Sequence, residues 1–251
     1  MRFRLRAFVF HLLGSATVLT LSLGTLYLGW YRWPGWYLSG VLAVTAVLAG
    51  VDLALGPLLT LVIANPAKPR RELARDISII IGAQLIALGY GAATLWSGRP
   101  VYYTFSADRL EVVRAFELVP ASDPDGVATD PALAPHWWSA PRWVWVPFPD
   151  DPKVSQQIIG AVAAGGADII DMPRYYRPWD AGLAALKAQL KPVGALRSLS
   201  RAQIEHATAR MKQLGFAPGE ANAMIMTGRG EPLVAVFDPA TARMRALLFT
   251  T

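Results

Sequence analysis

The chain has 251 residues, of which 53% are hydrophobic, with 24 Lys and Arg against 18 Asp and Glu for a formal charge of +6, and it has no cysteine. Lack of cysteine excludes disulfides, thiol chemistry and thiolate metal sites. The excess charge does not point to nucleic acid: residues 1–96 hold 8 cations and 3 acids, whereas residues 97–251 set 16 cations against 15 acids, with no cluster of cations interleaved with aromatics.

Three apolar stretches, residues 7–30, 37–64 and 77–96, dominate the amino-terminal part. Each meets the roughly 20 residues that an α-helix needs to cross a hydrocarbon core of about 30 Å. Only the middle one carries a charge, Asp52, and none shows the polar stripe of a soluble core helix. The expected architecture is a membrane protein with three transmembrane α-helices in residues 1–96, followed by a periplasmic α+β domain in residues 97–251.

Orientation follows from the cations, because short cytoplasmic loops retain Lys and Arg. Arg2, Arg4 and Arg6 precede the first span, and Lys68, Arg70, Arg71 and Arg75 lie between the second and third, while residues 31–36 hold only Arg32. The amino terminus and the basic loop are therefore expected in the cytoplasm, and the chain beyond Trp96 on the far side. Trp30, Tyr31, Trp33, Trp36, Tyr37 and Trp96 gather at the expected outer interface, where amphipathic rings prefer to sit. A cleaved signal peptide also begins with basic residues and an apolar run. Here the run is longer than the usual apolar region, and Leu28-Gly29-Trp30-Tyr31 is a poor small-residue cleavage site, so a retained span is expected.

Asp52 sits near the bilayer midplane, where an isolated charge costs at least about 2.5 kcal/mol on insertion scales. It is expected to be protonated, paired or turned toward the bundle interior, with Gln84 or a Thr hydroxyl as partner. Pro57, after Gly56, removes an N–H and frees the carbonyl of Leu53, loosening the helix beside the acid.

Beyond the third span, residues 101–105 and 110–118 are rich in β-branched and aromatic residues and predict strands. Residues 119–142 contain Pro120, Pro124, Pro131, Pro135 and Pro141 and predict a loop. Alternation of Trp with Val predicts a short strand at 143–148 with Trp143 and Trp145 on one face. Asp151 and Pro152 suit the cap and first position of a helix carrying Val154, Ile158 and Val162 and stopped by Gly165 and Gly166. Asp180 caps a segment with Leu183, Leu186 and Leu190, ended by Pro192. Ser200 and Gln203 form a capping box for a helix that buries Ile204, Ala207, Met211 and Leu214 and ends at Gly215. Strands are expected at 223–227, 233–237 and 244–250, the last two joined by the turn Asp238-Pro239-Ala240-Thr241. His11, His136 and His206 have no partner at ligand spacing, so no metal or cofactor is expected.

These residues carry a resemblance. Arg4-Leu5-Arg6-Ala7-Phe8 with His11-Leu12-Leu13, Val51-Asp52-Leu53 followed by Gly56-Pro57-Leu58-Leu59-Thr60-Leu61, and Asn65-Pro66 ahead of the basic loop are similar to the TfpX/TfpZ family of type IV pilin accessory proteins. So are Asp76, Gln84, Tyr90-Gly91, Arg99-Pro100-Val101-Tyr102 with Phe105, and Asp108-Arg109 with Val112-Val113. The resemblance implies a non-enzymatic, multi-pass inner-membrane protein that assists assembly or stability of a cognate type IV major pilin without joining the filament, with other pilus assembly components as further partners. It makes Asp52, Gly56, Pro57 and Gln84 a candidate docking point for the pilin's transmembrane helix, against the plainer reading of Asp52 as a hydrogen-bonding strut. Trp137, Trp138, Trp143 and Trp145 are candidates for a partner surface on the exported domain, since Trp dominates interface energetics; core packing or membrane anchoring is the competing role. Two other classes remain: a membrane enzyme with Asp52 as general base or His11 as proton shuttle, and a periplasmic sensor acting through a partner. The first has few convergent polar groups, and the second has no room for a cytoplasmic transmitter.

Overall fold

The apolar runs form three long helices, α1 (Arg2–Gly29), α2 (Leu42–Ile63) and α3 (Arg70–Ser97), in the computed structural model, which describes residues 1–119 and 128–251. Among the described residues these three are long and apolar enough to cross a membrane, as in a multi-pass membrane-associated protein. α2 is the most enclosed, with 28% of its apolar window buried against 6% and 17% for α1 and α3. Both α1 and α3 run past the apolar stretches into the basic flanks. Arg70, Arg71 and Arg75, expected in a loop, thus lie on the first turns of α3, which starts after Pro69.

Two bounded differences from expectation appear in α2. It starts at Leu42 and not at residue 37, because Gly40 takes a φ of +69° after a separate helical turn, Gly35–Leu38. Within α2, Gly50–Leu55 winds as a π-helix around Asp52. Such wide turns recur at functional sites.

The chain divides into two units: Met1–Arg32 with Val41–Gly98, and Trp33–Gly40 with Arg99–Thr251. In the second, the described residues place seven strands in one mixed sheet: β1 (Pro100–Ser106), β2 (Arg109–Arg114), β3 (Arg142–Trp145), β4 (Arg177–Pro178), β5 (Ala223–Thr227), β6 (Leu233–Phe237) and β7 (Met244–Phe249). Their order is β4-β3-β1-β2-β5-β6-β7. The antiparallel hairpin β1–β2 forms the centre, with β3 parallel to β1 and β5 parallel to β2. Alternation along the strands sends Tyr103, Phe105, Leu110 and Val112 to one face and Val101, Val113 and Val144 to the other.

Three helices cover the sheet: α4 (Pro152–Ala163), α5 (Leu183–Gln189) and α6 (Arg201–Gln213). Asp151 caps α4 by accepting from the Lys153 N–H, and Ser200 and Gln203 close a capping box on α6. Leu186 of α5 packs on the Tyr103 face, whereas Ile158 of α4 and Ala207 and Met211 of α6 pack on the opposite one.

Several local expectations change. The second strand ends at Arg114 and not at residue 118, because Glu117 accepts hydrogen bonds from the Arg114 N–H and guanidinium and turns the chain into a 3-10 turn, Ala115–Glu117. Asp180 does not cap α5. It lies in the 3-10 turn Trp179–Gly182, and α5 begins one residue later. The third strand ends at Trp145 and the last at Phe249, both short of the expected 148 and 250. Of the Pro-rich loop expected at 119–142, residues 120–127 lie outside the described residues. The stretch 128–141 has turns but no regular element, fixed by the Arg142 guanidinium donating to the carbonyls of Ala132 and Leu133 at 2.7 and 3.1 Å.

Residues Trp33–Gly40, part of which was expected in the second span, belong to the sheet unit. Leu38 is fully buried in the core beside Tyr103 and Met226, and the Arg229 N–H donates to its carbonyl at 2.6 Å. Trp33 and Tyr37 pack on Phe249 at 5.0 and 5.1 Å between ring centres. Gly228 makes this possible: a Cβ there would meet the Leu38 carbonyl oxygen at 2.3 Å.

Candidate functional site

Inside the helical unit, four side chains from three helices make one polar chain. His11 of α1 contacts Thr60 of α2 through Nδ1 at 2.5 Å and Gln84 of α3 through Nε2 at 2.6 Å. Gln84 Oε1 can only accept, so His11 Nε2 donates to it, and in the neutral ring Nδ1 then accepts from the Thr60 hydroxyl. The other end of the Gln84 amide faces Asp52. Its Nε2 donates to the Asp52 carbonyl at 3.2 Å, with Asp52 Oδ1 and Ser15 Oγ at 3.5 Å.

Close approach of α2 and α3 creates this arrangement. A Cβ at Gly56 would meet the Gln84 side chain at 2.2 Å, so glycine lets the amide cross the α2 backbone one turn beyond the acid. Small residues serve this purpose where helices associate in lipid. Pro57, next in α2, is buried with Gly56 and Thr60.

Asp52 is buried, at 4% exposure, and its Oδ2 has no hydrogen-bond partner. Asp52 is also one of the residues lining a cavity of about 480 Å³, walled mainly by apolar groups of α1 and α3, among them Ala7, Phe10, Gly14, Ile81 and Leu88. Of the residues singled out in the sequence, Asp52, Gly56, Pro57 and Gln84, the structure brings Gln84 against Asp52 and Gly56, with Pro57 buried next to Gly56 in α2. The sequence missed the central place of His11 and Thr60. A depth count holds the signal: at 1.5 Å per residue from Arg2, Ile63 and Arg70, His11, Asp52 and Gln84 lie roughly 14, 17 and 21 Å along their helices.

The four tryptophans do not form one surface. Trp143 packs against Tyr103 and Trp179, with ring centres 4.8 and 5.1 Å away, and Trp145 lies where a Cβ at Gly182 would meet it at 2.5 Å. These two belong to the core. Trp137 and Trp138, at 65% and 61% exposure, form an edge-to-face pair outside it, with His136 stacked on Trp138.

The motif residues after α3 build the central hairpin. Arg99 accepts the Ala115 N–H through its carbonyl, and Pro100 opens β1. Tyr102 is fully buried and donates to the Leu133 carbonyl at 2.6 Å, while Phe105 packs near Trp179. Asp108 lies in the two-residue turn, where Ala107 has a φ of +51°, and receives Lys191 at 3.3 Å. Arg109 pairs with Glu111 and Asp168. Beside them, burial and the neighbouring carboxylates of Glu117, Asp168 and Glu111 push Asp171 up to about 6. Among the described residues no group of three His, Asp or Glu side chains has the geometry to hold a metal ion.

A three-helix membrane-type bundle with a polar seam, joined in one chain to a mixed-sheet unit, is the class these features define. Its relatives are named for pilus formation. The chain is 37% identical over 109 residues to the "Fimbrial assembly protein, serogroup I" of Dichelobacter nodosus, 35% identical over 109 residues to the protein of serogroups C1 and C2, and 33% identical over 109 residues to that of serogroup E1. In each case 43% of this chain is covered. The match takes in 83% of the C1 and C2 protein but 42% of the other two, so the chain spans less than half the length of those relatives. The chain belongs to this family of fimbrial assembly proteins. No family profile and no solved structure matches it.

Proposed function

We propose that this protein is a non-enzymatic accessory factor of the inner membrane that assists assembly or stability of a cognate type IV major pilin. The identity to fimbrial assembly proteins, over most of the serogroup C1 and C2 relative, carries this reading. The two-unit architecture supports it. A subunit awaiting assembly, with an apolar helix in lipid and a folded head outside, calls for a helper with a bundle and an exported domain. The exposed Trp137 and Trp138 pair is the protein-facing surface of the sheet unit, and other assembly components are further partners.

The orientation has the amino terminus and residues 64–69 in the cytoplasm and the sheet unit in the periplasm, which the distribution of Lys and Arg supports. A reporter active only in the periplasm works when fused after Arg99 and fails when fused within residues 69–72; the reverse pattern overturns the orientation. Deletion of the gene, with surface pili and total pilin measured, tests the role itself. Loss of pili with normal pilin synthesis is expected, and unchanged levels of both exclude the accessory function.

A further inference from the structure

Positive charge from α1 and α3 collects at one end of the bundle. Ala7 and Ile77, the first residues of the apolar stretches in these helices, line the same cavity, so the two stretches begin at one depth. Just ahead of them lie Arg2, Arg4 and Arg6 on the first turns of α1, and Lys68, Arg70, Arg71 and Arg75 before and on the first turns of α3. Of the two acids among them, Glu72 and Asp76, the second is taken by Lys68 and Arg75 at 2.8 and 3.5 Å. Arg2, Arg4, Arg6, Arg70 and Arg71 are exposed, and their guanidinium groups have no hydrogen bond or ion pair among the described residues. This arrangement works against the helices that carry it. Arg2 and Arg6 stand one turn apart on one face, a like-charge spacing that destabilises a helix, and cations at a helix start meet the positive end of its dipole. The first turn of α1 has no acid to offset them. Apolar side chains alternate with the charges, since Phe3 and Leu5 are 43% and 55% exposed.

We propose that this end of the bundle binds the headgroup of an anionic phospholipid, its phosphate shared by the arginines that begin α1 and α3 and its glycerol and upper chains lying against Phe3 and Leu5. The proposal rests on these helices spanning a membrane and not on the accessory role. Complementarity of two kinds selects the occupant. A free phosphate ion or an acidic soluble segment answers the charges but leaves Phe3 and Leu5 in water. A zwitterionic lipid covers the apolar side chains but brings a cation of its own toward the arginines. An anionic phospholipid meets both demands. Cations that directly precede an apolar span sit at headgroup depth, where each gains from anionic lipid. A phosphate there relieves the repulsion among the arginines, so the folded bundle is more stable with the lipid bound than without it.

The full chain, purified in an uncharged detergent, is titrated with phosphatidylglycerol and with phosphatidylcholine of identical chains while the thermal midpoint of the bundle is followed. Phosphatidylglycerol should raise the midpoint with an affinity at least about tenfold above that of phosphatidylcholine. Arg2→Gln with Arg6→Gln, or Arg70→Gln with Arg71→Gln, should each weaken phosphatidylglycerol binding roughly thirtyfold, about fivefold for each cation removed from the lipid surface. Arg2→Lys with Arg6→Lys keeps the charge and should retain the preference. Arg197→Gln with Arg243→Gln, which neutralises two exposed cations of the sheet unit, should change nothing. One arm needs no variant to fold: in the unsubstituted protein, raising salt from about 0.1 to about 1 M shortens the screening length from about 10 to about 3 Å and should remove the preference. Equal response to the two lipids, a preference indifferent to salt, or equal loss from the sheet-unit and α1 variants overturns the proposal. Inorganic phosphate or polyglutamate that raises the midpoint as much as phosphatidylglycerol assigns the patch to a soluble anion or an acidic protein, and also overturns it.

Discussion

The helical unit and the sheet unit place polarity oppositely. In the sheet unit Tyr102, Phe105, Phe237 and Met226 are shut away from solvent, and charged pairs such as Arg109–Glu111 and Arg114–Glu117 lie at or near its surface. In the bundle Leu21, Val62, Ile86 and Tyr90 face outward, while Asp52, Thr60 and Gln84 are buried. Water rewards the first arrangement and hydrocarbon the second. In lipid, association gains little from apolar burial between helices, so packing of small residues and interhelical hydrogen bonds define the contact. The same side-chain types therefore carry different information in the two units: buried polar groups of the sheet unit such as Thr104, Ser106 and Thr250 bond to backbone carbonyls, whereas those of the bundle bond from helix to helix.

Substitutions should break this contrast with graded effects. The largest is expected in the sheet core, where Phe105→Ala removes a side chain at 2% exposure and should cost about 3–5 kcal/mol, read by denaturant unfolding of the sheet unit in the detergent-solubilised full chain. In the bundle the damaging change adds atoms. Gly56→Val drives a side chain into Gln84, and overpacking of this kind costs about 1–3 kcal/mol, so a lower thermal midpoint of the bundle is expected with the sheet unit unchanged. Equal loss of both units on Gly56→Val would show that they melt together.

Smaller effects sharpen the comparison at the surface of the sheet unit. Ser200→Ala removes the oxygen that accepts the Gln203 N–H and should cost about 1 kcal/mol without altering the bundle. Asp171 tests pH. Its folded value of about 6 lies above the ordinary 3.8, so between these values the folded state holds more protons than the unfolded one, and stability contributed by this group falls as pH rises from about 4 to about 6. Asp171→Asn keeps the oxygen that accepts the Asp168 N–H and should flatten that slope, measured as the unfolding midpoint against pH.

Long-range chemistry divides what the sequence discloses from what it hides. Runs of apolar residues announce α1, α2 and α3 because lipid demands uninterrupted hydrophobicity over a known length. Capping at Ser200 and the unbroken apolar runs of β5 and β6 are equally local. The hidden parts depend on what a residue meets far along the chain. Gln84 is expected from the sequence as a partner of Asp52, and Gly56 as part of the loosened turn, but the contact between Gly56 and Gln84 themselves is visible only in the structure. His11 looks like an isolated polar residue until Thr60 and Gln84 close on its two nitrogens. The four tryptophans share a composition but separate into a core pair and an exposed pair, because β3 fixes Trp143 and Trp145 while Trp137 and Trp138 precede it. The π-helix at Gly50–Leu55 has no periodic signature beyond the nearby Gly56-Pro57.

The seat of Leu38 bears on how much of the chain makes a complete protein. A fragment cut at residue 98 would carry all seven strands yet lack the Leu38 side chain that fills the core, the carbonyl that accepts the Arg229 N–H, and the Trp33 and Tyr37 rings against Phe249. Leu38 alone represents about 1.5–3 kcal/mol of burial. Such a fragment should be less stable than the same unit in the full chain and should bind a synthetic peptide of residues 33–40 in trans, with a raised melting temperature as the readout. The segment that joins two apolar helices is thus a missing piece of the sheet unit, supplied from more than sixty residues upstream, and a truncation designed on the boundary at Gly98 would leave a vacancy in its core.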